Sequence, residues 1–190
     1  VNNVDVSHFR LSIHLLFAFI ILSLILWNYF ILNYDEKYEK NLINYLPEIL
    51  LFLIFLQIVI GAFVSGMDAG KIYNSWPLMG NSYFPDDNNL LNLFKISAFS
   101  DPSLVQFIHR NLAYLISFIY LILIVIVYKK NINKLFKPIN VLGLIILLQI
   151  ILGILTVLTG AGIIIASLHQ FSSILLISSS IYFIFKTRFK

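Results

Sequence analysis

The sequence predicts an all-α integral membrane protein with five transmembrane helices, and three observations carry that reading. Hydrophobic residues make up 59% of the 190-residue chain, and the mean hydropathy of +0.90 lies far outside the range of a soluble domain of this size. Five apolar runs reach the roughly 20 residues needed to cross a hydrocarbon layer of about 30 Å. None alternates as a barrel strand does, and helices satisfy their own backbone polar groups in lipid.

The spans are expected at residues 9–32, 46–66, 104–128, 139–159 and 163–185. Pro47 stands at the start of the second, where a missing N–H is harmless, and Glu48 beside it suits the positive end of the helix. Asp101 followed by Pro102 gives the third a capping carboxylate and a first-turn proline. Pro138 after Lys137 is read as opening the fourth. The long connection, 67–101, is too short for a domain but long enough to cover a site. It mixes glycine turns with aromatic residues, as a lid or a headgroup aromatic belt would, and residues 90–94 suit an interfacial helical turn.

Orientation follows from the cations. Lys37, Lys40, Lys129, Lys130, Lys134, Lys137, Lys186, Arg188 and Lys190 fall on one side, which the positive-inside rule makes cytoplasmic or matrix-facing. Arg10, Lys71, Lys95 and Arg110 are left for the other. The net charge of +4 is therefore topological, and no nucleic-acid partner is expected. The absence of cysteine excludes disulfides, thiolate-ligated or covalently attached haem and iron–sulfur clusters within this sequence. The chain opens at Val1 with neither a signal peptide nor a charged leader, which suggests further sequence upstream.

An internal repeat organises the spans. Residues 56–61 (LQIVIG) recur as 148–153 (LQIILG), each leading within about ten residues into a glycine-containing stretch. Residues 11–14 (LSIH) resemble 166–169 (ASLH). With histidine helices written H and Leu-Gln-Ile helices Q, the order is H, Q, H, Q, H. The last four spans then make a complete four-helix bundle, and the first closes an earlier, truncated one. Gln57 and Gln149 are read as helix-to-helix hydrogen bonders, and Gly61 and Gly153 as points of close helix approach.

His14, His109 and His169 lie inside the apolar runs, where an imidazole is costly enough to mark a functional site. With the spans starting at 104 and 163, His109 and His169 sit roughly 8 and 9 Å deep at about 1.5 Å per residue. Imidazoles on facing helices can take both axial positions of one haem iron. The alternative is a pair of unrelated helix-to-helix hydrogen bonds. Arg110 beside His109, and Arg10 one turn from His14, suit haem propionates, although either arginine alone could simply reach the interface. His8 reads as a surface bystander.

Taken together, residues 106–110 (QFIHR), the later Leu168 and His169, residues 10–14 (RLSIH) and the loop 66–79 (GMDAGKIYNSWPLM) resemble the haem A synthases, the CtaA-type membrane oxygenases. The likeness covers nearly the whole chain, and the loop is its most specific element. The lack of cysteine resembles the mitochondrial and alphaproteobacterial branch. The resemblance implies an eight-helix protein of two related four-helix bundles, the second holding haem b and the first binding the substrate haem O. It also implies oxidation of a haem O methyl group to the formyl group of haem A for terminal oxidases.

On that resemblance His109 and His169 match the axial ligands of haem b, with Arg110 as a cofactor-binding neighbour. His14 and Arg10 belong to the substrate site, and His14 matches one of its two histidines. Residues 1–33 are the last helix of the substrate bundle, 34–45 a cytoplasmic or matrix loop, and 46–190 the haem b bundle, with its outer loop at 67–101. The family's Glu-x-x-His-Arg motif lies upstream of this chain, and Gln106 stands where the repeat would place its glutamate. A glutamine cannot exchange a proton, so no complete catalytic set is expected and the isolated chain should be inactive.

Expected partners are haem O and its synthase, an unidentified electron donor and the bilayer, and a homo-oligomer is compatible with the reading. The expected location is a bacterial cell membrane, or the mitochondrial inner membrane in a eukaryote, with the histidines near the outer face. Two other classes use the same residues. A b-type cytochrome would carry electrons without a substrate site, and a transporter or assembly protein would hold no haem.

Overall fold

A computed structural model describes residues 7–34 and 43–189. Most of the 34–45 loop, including Lys37 and Lys40, lies outside the described residues, as do Val1 and Lys190. Among the described residues five α-helices form: α1 His8–Asn33, α2 Leu46–Gly66, α3 Pro102–Lys129, α4 Asn133–Leu158 and α5 Ile163–Arg188. Each is long and apolar enough to span a bilayer. The chain is an all-α integral membrane protein.

α2 packs on α3 and α5, and α4 packs on α3 and α5, so these four close into a ring. Its core comes from residues spaced three, four or seven apart, the period that keeps one helical face inward. Examples are Leu50, Ile54 and Ile58 on α2 and Ile139, Leu142 and Ile146 on α4. α1 lies outside the ring in the groove between α2 and α5. Trp27 and Phe30 of α1 meet Phe185 of α5 with ring centroids 6.1 and 5.5 Å apart. Only Ser12 and Phe19 of α1 are buried.

One boundary expectation needs correction. α4 begins at Asn133, so Pro138 is its sixth residue and does not open it. The chain reverses at Asn131, which takes a left-handed φ of 49°, and Leu135 N–H already donates to Ile132 O at 2.9 Å. The helix thus starts in the lysine-bearing segment before the apolar run. Proline there forfeits one backbone bond within the first two turns of the helix. Glu48 lies in the first turn of α2, as expected of a carboxylate at the positive end of a helix, and it also has a partner on another helix. Arg188 Nε donates to Glu48 Oε1 at 3.0 Å, and its terminal nitrogen closes the same ion pair, tying the start of α2 to the end of α5.

At the opposite end the 67–101 connection folds over the mouth of the ring. Asp101 caps α3 as expected, accepting from Leu104 N–H at 3.1 Å. The expected turn forms at Leu90–Phe94, capped by the Asn89 side chain, and a second 3₁₀ turn follows at Ile96–Ser100.

Candidate functional site

Two copies of one local arrangement build the histidine end of the ring. Gln57 on α2 and Gly61, one turn later, share a face that meets His109 on α3. The Gln57 amide Nε2 donates to His109 O at 3.1 Å and lies 3.2 Å from His109 Nε2. A Cβ built on Gly61 would stand 3.1 Å from His109 Cε1. On α4, Gln149 Nε2 donates to His169 O at 3.4 Å, and a Cβ on Gly153 would stand 3.3 Å from His169 Cε1.

The glutamines therefore hold neighbouring helices, as the repeat suggests. The glycines are points of close approach. What approaches each of them is the imidazole ring of the neighbouring helix. The positions of the two histidines in successive repeats hid this, because each glycine's partner lies on the next helix.

His109 and His169 are half-buried within the protein. Each keeps a buried Nδ1 with no hydrogen-bond partner among the described residues. Among those residues, no group of three or more His, Cys, Asp or Glu side chains could enclose a bare metal ion. Two imidazoles suffice for a metal that brings its own equatorial ligands, as an iron porphyrin does.

The loop closes this end from above. Arg110, buried at the start of α3, donates from Nη1 to Ser75 O at 2.9 Å and Leu78 O at 3.3 Å. Its Nη2 donates to Tyr73 O at 2.9 Å, and Gln106 Nε2 reaches the same carbonyl at 3.0 Å. The sequence reading gives Arg110 to a propionate. In the structure its two terminal nitrogens hold loop carbonyls, and only the buried Nε lacks a partner. Asn74 Nδ2 donates to Val157 O at 3.1 Å, so the loop also grips the end of α4.

Polar groups fasten the outer part of the loop. Tyr73 Oη donates to Asp87 Oδ1 at 2.9 Å, and Ser103 Oγ to Asp87 Oδ2 at 2.6 Å. Partial burial raises the Tyr73 phenol above its ordinary 10.0, and its bond to Asp87 adds to this. For Asp87 burial works upward, but the bonds from Ser103 and Tyr73 outweigh it and hold the carboxyl below 3.8.

His14 and Arg10 do not join this cluster. Both are exposed on α1. His8 is more than a bystander: its ring packs edge-on to Phe63 at 5.5 Å, and its Cβ fills the space beside Gly66.

Residues 1–181 match the family model described as COX15-CtaA, cytochrome oxidase assembly protein. Among curated relatives, the "Heme A synthase" of Pelagibacter ubique is 46% identical over 98% of this chain and 55% of its own length. That of Wolbachia pipientis wMel is 42% identical over 94% of this chain and 51% of its own, and that of Rickettsia prowazekii 38% over 97% and 56%. The chain thus spans about half the length of the curated relatives it matches. No solved structure matches it. With its match over nearly all 190 residues, the chain belongs to the COX15-CtaA family of cytochrome oxidase assembly proteins.

Proposed function

We propose that this chain is the haem-b-holding part of a haem A synthase, an oxidoreductase that converts the haem O methyl group to a formyl group for terminal oxidases. The observation that carries the reading is the duplicated cradle, in which a Gln and a Gly one turn apart on α2 and α4 receive His109 and His169. The residues fit the group: two imidazoles on different helices of one ring, each set against a glycine of the neighbouring helix, both keep an orphaned ring nitrogen.

His109 and His169 would hold the haem. A haem bound there supplies one-electron redox chemistry. The chain's own residues do the rest. Gln57 and Gln149 fix the backbone that carries each histidine, the glycines leave room for the rings, and Arg110 with Gln106 pins the covering loop. Arg110 keeps Nε for an anionic group, a narrower role than a paired-donor clamp on a propionate. Gln106 has no exchangeable proton to offer, and its amide is committed to Tyr73 O.

His14 and Arg10 would serve the haem O site. Their exposure on the face of α1 turned away from the ring supports a site completed by other helices. In this reading residues 1–33 belong to a substrate bundle and 46–190 to the haem b bundle. The histidine end would face outward, because the opposite end carries Lys129, Lys130, Lys134, Lys137, Lys186 and Arg188. Haem O, its synthase and an electron donor are the partners this reading requires. The relatives' names do not favour an electron-transfer role without substrate oxidation.

Purification in mild detergent with a reduced-minus-oxidised spectrum and haem quantitation tests the proposal. A low-spin b-type signal near one haem per chain, lost in both His109→Ala and His169→Ala, supports it. Haem retained unchanged in both variants overturns the ligand assignment.

A further inference from the structure

The 3₁₀ turns at Leu90–Phe94 and Ile96–Ser100 present large apolar side chains that the fold does not cover. Leu90 is 60% exposed, Leu91 70%, Phe94 87% and Ile96 91%, and no residue of the first turn is buried. Four such side chains within seven residues form a continuous patch of the kind that marks an interaction surface.

Position decides what covers it. The second turn runs directly into α3, with only Asp101 between Ser100 and the first helical residue, Pro102. α3 has 28 residues, so it is about 42 Å long at 1.5 Å per residue, against a hydrocarbon layer of about 30 Å. If the excess is shared between its ends, α3 begins in the headgroup layer. The two turns therefore lie at the depth where apolar side chains can enter the acyl boundary while the backbone stays hydrated.

Charge is sorted in the same sense. No acidic residue occurs between Asn88 and Ser100, and the lone ion is Lys95, exposed between Phe94 and Ile96. The loop's nearby carboxylates are engaged within the protein. Asp86 accepts from Asn81 N–H and Ser82, Asp87 from Tyr73 and Ser103, and Asp101 from Asn88 and Leu104. A cation flanked by apolar side chains matches a surface of anionic lipid headgroups over acyl chains.

We infer that residues 90–96 are a membrane anchor, with Leu90, Leu91, Phe94 and Ile96 inserted into the leaflet at the histidine end and Lys95 at its phosphates. The anchor fixes the far edge of the loop whose near edge Arg110 holds. It is independent of any cofactor.

The chain has no cysteine, so single nitroxide labels can be placed cleanly. Phe94→Cys and Ile96→Cys would be labelled in the full chain, reconstituted in phosphatidylethanolamine and phosphatidylglycerol liposomes. Asn81→Cys on the loop serves as the water reference and Phe118→Cys, exposed at mid-α3, as the lipid reference. Collision rates with oxygen and with a water-soluble nickel chelate are measured by power saturation. The expected oxygen-to-nickel ratio at 94 and 96 is several-fold above that at 81 and below that at 118. A ratio equal to that at 81 places the turn in water and overturns the anchor. Low collision with both reagents means that protein covers the patch, a second copy included, and overturns it equally. Helix content by circular dichroism screens each variant for folding, and Leu91→Cys replaces one that fails.

Discussion

The α2–α3 and α4–α5 halves of the ring carry the same Gln, Gly and His elements, yet they are held with different firmness. In the first, Gln57 touches both the carbonyl and the ring of His109, and the next residue, Arg110, fastens a loop by three further bonds. In the second, the Gln149 bond to His169 O is at the limit of a hydrogen bond, at 3.4 Å. The residue after that histidine is Gln170, exposed and outside the loop network. A duplicated motif supplies two equivalent imidazole positions. The single long connection then adds three bonds from Arg110 to the first and one, from Asn74 to Val157 O, to the second.

The largest effect should come from breaking that asymmetry at Arg110. In Arg110→Ala the carbonyls of Ser75 and Leu78 lose their charged donor, and Tyr73 O keeps only Gln106. Hydrogen bonds to charged groups contribute about 1.5–3 kcal/mol each, less where water can replace the donor, so a loss of about 2–4 kcal/mol is expected. Thermal unfolding in detergent would show it, together with faster proteolysis between residues 71 and 79. Arg110→Lys should recover only part, because an ammonium cannot span the carbonyls as a planar fork does. Gln170→Ala in the other half should do neither.

Next in size is the filling of the ring spaces. In Gly61→Val a Cβ would already press on His109 Cε1 at 3.1 Å, and the branched methyls have nowhere to go without moving the imidazole. Overpacking of this kind costs about 1–3 kcal/mol. Gly153→Val begins from 3.3 Å beside a less tethered ring, so its cost should be smaller. Stability measurements on the two variants decide the order. An equal cost would mean that the Gln57 contact adds no rigidity to His109.

Much of this arrangement was legible in the sequence because spans, capping residues and repeats are local patterns. Asp101 with Pro102 located the start of α3 to within two residues, and the apolar stretch at 90–94 located the Leu90–Phe94 turn. The start of α4 was misread at Pro138 because hydropathy marks the lipid-contacting part of a helix, whereas Asn133 to Lys137 are helical outside it. The repeat announced Gln57 and Gly61 without their target, since His109 lies 52 residues from Gln57 in the chain. Arg110 was singled out, but its carbonyl partners lie 32 to 37 residues away in a loop whose path no local pattern encodes.

A smaller difference should separate Gln57→Leu from Gln149→Leu. Interhelical hydrogen bonds in membrane proteins contribute about 0.6 kcal/mol on average, up to about 2. Gln57, with a 3.1 Å bond and a ring contact, should lie near the upper part of that range, and Gln149 near the lower. A double-mutant cycle of Gln57→Leu with Arg110→Ala would show whether the two supports of His109 couple. Additive losses would mean that loop and cradle stabilise α3 independently.

The smallest effect is a pH dependence confined to the loop half. Asp87 has its carboxyl held below 3.8 in the folded protein, so its contribution is complete above 3.8 and is lost as pH falls through the lowered folded value. Tyr73 works in the other direction: its phenol is raised above 10.0, so its contribution is complete below 10.0 and is lost as pH rises through the raised value. Solvent screening near the surface keeps both contributions small. Hydrogen exchange of residues 73–88, corrected for intrinsic rates, should therefore be flat between these limits and accelerate beyond each. Asp87→Asn should abolish the acid limb. The α4–α5 turn has no titratable side chain from 159 to 168, so its exchange should stay flat while the loop opens. Parallel acceleration in both places would mean that acid loosens the whole ring, and that the firmness of the loop half does not rest on the Tyr73–Asp87–Ser103 network.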